Sequence, residues 1–246
     1  MSRQRFYAAT EDIDGRTALL SLEETHHLAR VLRLRAGDEA SVFDGCGREY
    51  RCRISSIENR ARLEIISEMK DCVESRARVT LAQSLAKGEK FDLIVQKATE
   101  LGVSRIVPLA TDHADVKLNE ASAAKRLERW RRISMESLKQ CGRRRLVEIA
   151  SPLALEDFLK SSDARMLVFS EQGGLSINEA LADVTCDTAV AALIGPEGGW
   201  SEAELKRMSE RGYKFATLGP RVLRTETAAI AALTLIQHTI GDLSNR

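Results

Sequence analysis

The chain has no C-x-x-C pair and no repeating cysteine pattern. Its five cysteines, Cys46, Cys52, Cys72, Cys141 and Cys186, are odd in number and scattered. This excludes a disulfide framework and the usual zinc-ribbon spacings, and makes reduced thiols in the cytosol the simplest expectation. No apolar stretch approaches the roughly 18 residues of a membrane span. The nearest, residues 227–240, is shorter and carries Thr234, Gln237 and His238. Residues Met1-Ser2-Arg3-Gln4-Arg5-Phe6 hold no apolar signal core. A cytoplasmic chain without a membrane partner is expected. There is no G-x-x-x-x-G-K-S/T and no G-x-G-x-x-G, so the P-loop and dinucleotide fingerprints are missing. His26 and His27 are adjacent and cannot share a metal through i,i+4 geometry, and His113 and His238 lack ligand partners at a familiar spacing. No metal is expected. A net charge of +1 gives no global attraction to nucleic acid, so any such role rests on how the charges are distributed.

What is present is a chain of 246 residues, 43% hydrophobic and 30% charged, enough for a real core in one large domain or two smaller ones. The first 70 or so residues read as β-rich. Short strands are predicted at residues 6–8, 17–20, 39–43, 50–54 and 63–65, with Asp44-Gly45 and Asn59-Arg60 as turns. Ser21-Leu22-Glu23-Glu24 reads as a capping box opening a short helix through His26 to Arg33. Close-set short strands predict a small barrel. After Cys72 strands and helices alternate. Strands are expected at 79–84, 105–109, 166–170, 189–194 and 213–218, and helices at 91–101, 119–141 and 225–240, with further helices capped by Ser176 and Ser201. This rhythm predicts a parallel sheet with both faces covered. The domain boundary falls near residues 70–76, giving domains of residues 1–73 and 74–246.

Two loops draw attention. Leu193-Ile194-Gly195-Pro196-Glu197-Gly198-Gly199-Trp200 follows a buried strand and precedes a capped helix. Parallel sheets bind ligands beyond the carboxyl ends of their strands. Glycines permit close approach and positive φ, and Pro196 stiffens the turn. Leu218-Gly219-Pro220-Arg221-Val222-Leu223-Arg224-Thr225-Glu226-Thr227 again joins a strand to a helix. Its backbone groups are suited to an adenine edge, while Arg224 and Glu226 bring both charges close by. Thr225 capping the last helix and Glu226 complementing its dipole is the compatible alternative. The two loops are expected to converge on one pocket.

Basic residues concentrate in the long helix and after it, ending in Gly142-Arg143-Arg144-Arg145. Phosphate contact is expected from Arg143, Arg144 and Arg145. Arg3, Arg5 and Arg33 offer a second basic patch, with scattered surface charge as an equally good explanation.

Taken in order, these residues resemble the RsmE family of ribosomal RNA uracil-N3 methyltransferases, within the SPOUT superfamily. The resemblance spans nearly the whole chain. It includes His27-Leu28-x-x-Val31-Leu32-Arg33, Phe43-Asp44-Gly45-x-Gly47, residues Gln96 through Val103, and Glu136-x-x-x-Gln140-Cys141-Gly142-Arg143. Its two most specific blocks are Ile194 through Gly199 and Leu218 through Ala228. The resemblance implies a PUA-like β-barrel that helps hold RNA, followed by an α/β domain with a trefoil knot. It implies S-adenosylmethionine bent in that knot, a homodimer with the active site at the subunit interface, and a target uridine in small-subunit ribosomal RNA, free or assembled. A ribose 2′-O-methyltransferase and a non-enzymatic ribosome-assembly factor are the rival expectations. Cofactor contacts are expected from Leu193, Ile194, Gly195, Pro196, Gly198, Gly199, Leu218, Gly219, Val222, Leu223, Arg224 and Thr225, and RNA contacts also from Arg221. N3 of uracil must lose a proton to attack a methyl group. Arg224 is the expected stabiliser of the resulting charge, with Glu197 or Glu226 as acceptor, although a structural carboxylate is at least as good a reading of each. Two departures stand out. Thr111-Asp112-His113-Ala114-Asp115 replaces a Ser-Glu-Arg-Ser-like run, removing an arginine expected to touch substrate. Arg144-Arg145-Leu146 replaces a segment that usually holds a proline. The apolar last helix, 225–240, is expected either in the core or at the dimer contact.

Overall fold

The computed structural model describes residues 4–70, 73–114 and 119–244; Arg3, Cys72 and Asp115 lie outside them. The chain forms two compact units. One comprises residues up to Glu74 with Leu138–Leu146, and the other Ser75–Ser137 with Val147 onward. The segment 138–146, which sequence order assigns to the second domain, thus belongs to the first unit.

The first unit is built on five strands, β1 (Arg5–Tyr7), β2 (Thr17–Leu19), β3 (Glu39–Phe43), β4 (Glu49–Ile57) and β5 (Ala61–Glu68), paired in the order β1-β3-β4-β5-β2. All pairs are antiparallel except β1 with β3. In β4 the side chains alternate, so that Tyr50, Cys52 and Ile54 enter a core with Phe6, Leu20, Leu28, Val42 and Leu63 while Arg51 and Arg53 face outward. The hydroxyl of Ser21 accepts the amide of Glu24 and starts α1 (Leu22–His26). The helix expected to reach Arg33 continues unbroken past His26 but ends at Val31. A π-turn takes over at His27–Val31, and Arg33 adopts φ 57. The predicted hairpin at Asp44 is also longer than a two-residue turn. Asp44 accepts the amides of both Cys46 and Arg48, which holds a wider loop.

Segment 138–146 completes this unit through buried charge. The Arg5 guanidinium binds Glu49 (2.9 Å) and reaches the carbonyls of Leu138, Lys139, Gly142 and Arg143, satisfying orphan acceptors at a helix end. Arg144 donates to the other Glu49 oxygen (2.9 Å) and to the Met69 carbonyl, and Arg143 pairs with Glu74. The remaining Glu74 oxygen accepts the amides of Arg144 and Arg145. Arg5, Arg143 and Arg144 are therefore committed to buried carboxylates, and the expectation that they hold phosphates is corrected. The arginine run is visible in sequence, but its partners are distant carboxylates. Arg145, like Arg33, is exposed.

The second unit carries a parallel sheet of β6 (Val79–Ser84), β7 (Arg105–Ala110), β8 (Glu148–Ile149), β9 (Leu153–Ala154), β10 (Arg165–Phe169), β11 (Val190–Ile194) and β12 (Lys214–Ala216). Its order is β12-β10-β11-β6-β7-β8, with β9 also on β7. The helices are α2 (Lys90–Glu100), α3 (Glu120–Cys141), α4 (Leu155–Ser161), α5 (Ile177–Ala180), α6 (Glu202–Glu210) and α7 (Thr225–Ile240). The central strands are buried on both faces, which is why their sequences read as continuous apolar runs. On one face Trp130 of α3 packs against Phe91 of α2 (4.3 Å between centroids) with Ala229, Leu233 and Ile236 of α7. On the other lie Phe158, Met208, Leu193 and Trp200. Gly102 ends α2 at φ 83, and a side chain there would meet the buried Gln237 amide at 2.8 Å. β8, β9 and α4 are too short for a periodic signal and were not expected. Among the described residues no helix is long and apolar enough to cross a membrane.

Candidate active site

Three adjacent parallel strands, β12, β10 and β11, finish on the same edge of the sheet. The turns that follow them, residues 217–224, 170–176 and 195–201, open side by side and enclose a cavity of about 260 Å³. Ile194, Gly195, Pro196, Glu197 and Gly199 line it from one turn, and Leu218, Gly219, Arg221, Val222, Leu223, Arg224 and Thr225 from another. The two loops singled out in the sequence thus share one hollow.

Specific bonds hold them together. The Thr225 hydroxyl, in the first turn of α7, donates to the Gly195 carbonyl (2.8 Å) and accepts from the buried Gln83 amide at the end of β6 (3.0 Å). The Trp200 indole donates to the Phe169 carbonyl (3.0 Å), tying the β11 turn to β10. Its ring lies against Gly195, where an added Cβ would stand 3.2 Å away. Gly199 takes φ 71, its amide donates to Pro196, and an added Cβ would meet a Glu171 oxygen at 3.0 Å. Among the described residues, the amides of Gly195, Leu218 and Leu223 make no intramolecular hydrogen bond.

Leu193, expected at the cofactor, does not line the cavity. It sits fully buried in β11, on the face that packs against Trp200 and Met208, because alternation sends it away from the strand end. Gly198 is turned toward His113 rather than inward. Sequence reasoning missed Phe169, Ser170, Glu171, Gln172, Trp200, Leu205 and Ala228. The Gly173-Gly174 pair after a buried strand was the available signal for the third turn.

The carboxylates differ in their surroundings. Glu197 pairs with Lys90 at the start of α2 (2.8 Å). That hydrogen bond raises the Lys90 ammonium above the usual lysine range, with help from the charge on Glu226 and against the charge on Arg224. Oε2 of Glu226 is buried with no hydrogen-bond partner among the described residues. Arg224 stands at the N-cap of α7 with an extended backbone. Among the described residues, no group of three His, Cys, Asp or Glu is arranged to hold a metal ion.

Residues 73–237 match the family described as RNA methyltransferase domain, and residues 20–66 match the RNA methyltransferase PUA domain. The ribosomal RNA small subunit methyltransferase E of Buchnera aphidicola is 34% identical over 229 residues, covering 92% of each chain. The chain belongs to this family. A methyltransferase of Legionella pneumophila, solved with bound SAM, is 34% identical with a TM-score of 0.90, covering 99% of this chain and 100% of its own. The family member from Neisseria gonorrhoeae, solved with S-adenosyl methionine, is 33% identical with a TM-score of 0.88, covering 98% of this chain and 99% of its own.

Proposed function

We propose that this chain transfers a methyl group from S-adenosylmethionine to N3 of a uridine in small-subunit ribosomal RNA, acting as a cytoplasmic, metal-free homodimer. The carrying observation is the single cavity enclosed by the β11 and β12 turns and tied by the Thr225–Gly195 bond. Its residues fit the cofactor. Its volume lies near the lower end of ligand pockets, about 300 Å³. Unpaired amides of Gly195, Leu218 and Leu223 supply donors for an adenine edge and a carboxylate, and a Cβ at Gly195 or Gly199 would crowd Trp200 or Glu171 in the cavity wall. The bound cofactor supplies an electrophilic methyl carbon; the protein supplies position and electrostatics.

The chain's own groups divide the rest. Arg224, the N-cap of α7, is poised to stabilise the negative charge that spreads over the uracil oxygens when N3 loses its proton. Glu226 takes that proton, since its buried Oε2 has no hydrogen-bond partner among the described residues and so has a lone pair free to accept. Glu197 is already neutralised by Lys90 and serves to hold the rim. The Watson–Crick edge carries N3, so the target base must be unpaired or turned out of its stack. Exposed Arg33, Arg145 and Arg221 remain as phosphate contacts, and Arg33 holds a left-handed backbone that typically costs about 1 kcal/mol and favours functional sites. The outer face of α7 carries half-buried Ile230, Ala231 and Leu235, an apolar stripe fit for a second copy. A chain that crosses from the sheet edge at β12 past β10 to set α7 against β11 and β6 is compatible with a knot.

The test is primer extension across small-subunit ribosomal RNA from cells with and without the protein, because an N3 methyl stops the polymerase. Arg224→Ala is expected to lower kcat by about 10²–10³ with little change in stability. Near-normal turnover removes Arg224 from this role, and a ribose methyl in RNA mass spectra overturns the assignment to N3.

A further inference from the structure

His113 lies in the connection between β7 and α3, in a segment fastened on two sides. The Thr111 hydroxyl pairs with that of Ser84 at the end of β6 (2.7 Å). The Asp112 amide donates to Glu204 (3.0 Å), and its carboxylate accepts from Ser201 (2.6 Å), the residue that caps α6. Directly after these anchors, Nδ1 of His113 stands 3.2 Å from both the Gly198 and the Gly199 carbonyl oxygens. Carbonyl oxygens only accept, so Nδ1 must carry the hydrogen, and the neutral ring is held in one tautomer. The contact is close: a Cβ on Gly198 would stand 3.2 Å from that of His113. No other side chain of the described residues donates to these two carbonyls.

A trans peptide points its carbonyl and its amide in opposite directions. Fixing the Gly199 carbonyl toward His113 therefore turns the Trp200 amide away from it, and that amide has no intramolecular acceptor among the described residues. Gly199 and Trp200 border the cavity. The β11 turn is thus held at one end by Thr225 on Gly195 and at the other by His113 on Gly198 and Gly199.

We propose that His113 is a positioning residue for the cofactor: its Nδ1–H holds the Gly198 and Gly199 carbonyls so that the far end of the turn presents the Trp200 amide to S-adenosylmethionine. This rests on the methyltransferase reading above.

The experiment is calorimetric titration of the full-length protein with S-adenosylmethionine, for wild type and for His113→Ala, His113→Asn and His113→Gln, with the unfolding midpoint of each. An asparagine amide reaches the position of Nδ1 and a glutamine amide does not. Affinity is expected to fall about tenfold in His113→Ala and His113→Gln and to stay near wild type in His113→Asn. In methylation assays the loss is expected in KM for the cofactor and not in kcat. Equal affinity in all four proteins overturns the proposal, as does a loss in the alanine variant that glutamine restores and asparagine does not. A fall in affinity that tracks a fall in midpoint also overturns it in favour of plain destabilisation. Wild-type protein that fails to bind the cofactor refutes the function itself, a result distinct from these.

Discussion

Trp200 leaves Gly195 no room for a methyl group, since the indole ring lies 3.2 Å from where a Cβ would be. The ring is pinned by its bond to Phe169, so it cannot yield cheaply. Gly195→Ala is expected to cost about 1–3 kcal/mol in stability and to weaken cofactor binding by tenfold or more, checked by denaturant unfolding and calorimetry. Thiol chemistry offers a second test. Burial pushes the Cys52 thiol up to about 12, whereas Cys46 and Cys186 are exposed. Iodoacetamide at pH 8 is expected to label Cys46 and Cys186 and to spare Cys52 until the chain is unfolded, as read by peptide mass spectrometry. Gly195, Gly199, Gly219 and Arg224 were legible as residues of this cavity because their spacing after a strand is a local signal. The pairing of Glu197 with Lys90 was not, since 107 residues separate the two.

Elements announce themselves by their ends. Ser176 and Ser201 both form full capping boxes, whereas Thr225 does not cap α7: Arg224 is the N-cap and Thr225 the first helical residue. Thr225 does more than start a helix, because its hydroxyl joins Gln83 to Gly195. Thr225→Val keeps the shape and removes both bonds, and an expected loss of about 1–3 kcal/mol is checked by urea unfolding. The carboxyl end of α3 depends on charge. Burial raises the Glu49 carboxyl, but hydrogen bonds and charge from Arg5 and Arg144 outweigh it and hold the value below the ordinary 4.5. A depressed carboxylate stabilises the fold fully above its unfolded value, and the contribution is lost as pH falls from there through the folded value. Stability of the wild type is therefore expected to drop below about pH 4.5, and Glu49→Gln should show a flatter acid limb in thermal melts. Arg144→Ala strands Glu49 with less compensation and is expected to cost about 3–5 kcal/mol.

At the scale of the whole chain, sequence periodicity sufficed for the alternation of strands and helices and for two kinds of unit. It could not supply the order β12-β10-β11-β6-β7-β8, because which parallel strands become neighbours depends on packing between distant segments. The same blindness misread the arginine run. With Arg5, Arg143 and Arg144 sequestered, RNA affinity is expected to show a shallow salt dependence, about one unit of slope shallower again in Arg145→Ala. Arg143→Ala should leave that slope unchanged and lower the melting temperature instead. The return of residues 138–146 to the first unit also has a temporal side. Glu74 acquires its arginine partner, and Glu49 its second beside Arg5, only after Arg144 has been synthesised. At about 5–20 residues per second, the nascent amino-terminal segment waits several seconds with Glu74 unpaired and Glu49 held by Arg5 alone. Completion of that unit is thereby postponed until residue 146 is available, and a chain cut after Glu74 is expected to emerge from the ribosome unable to finish folding.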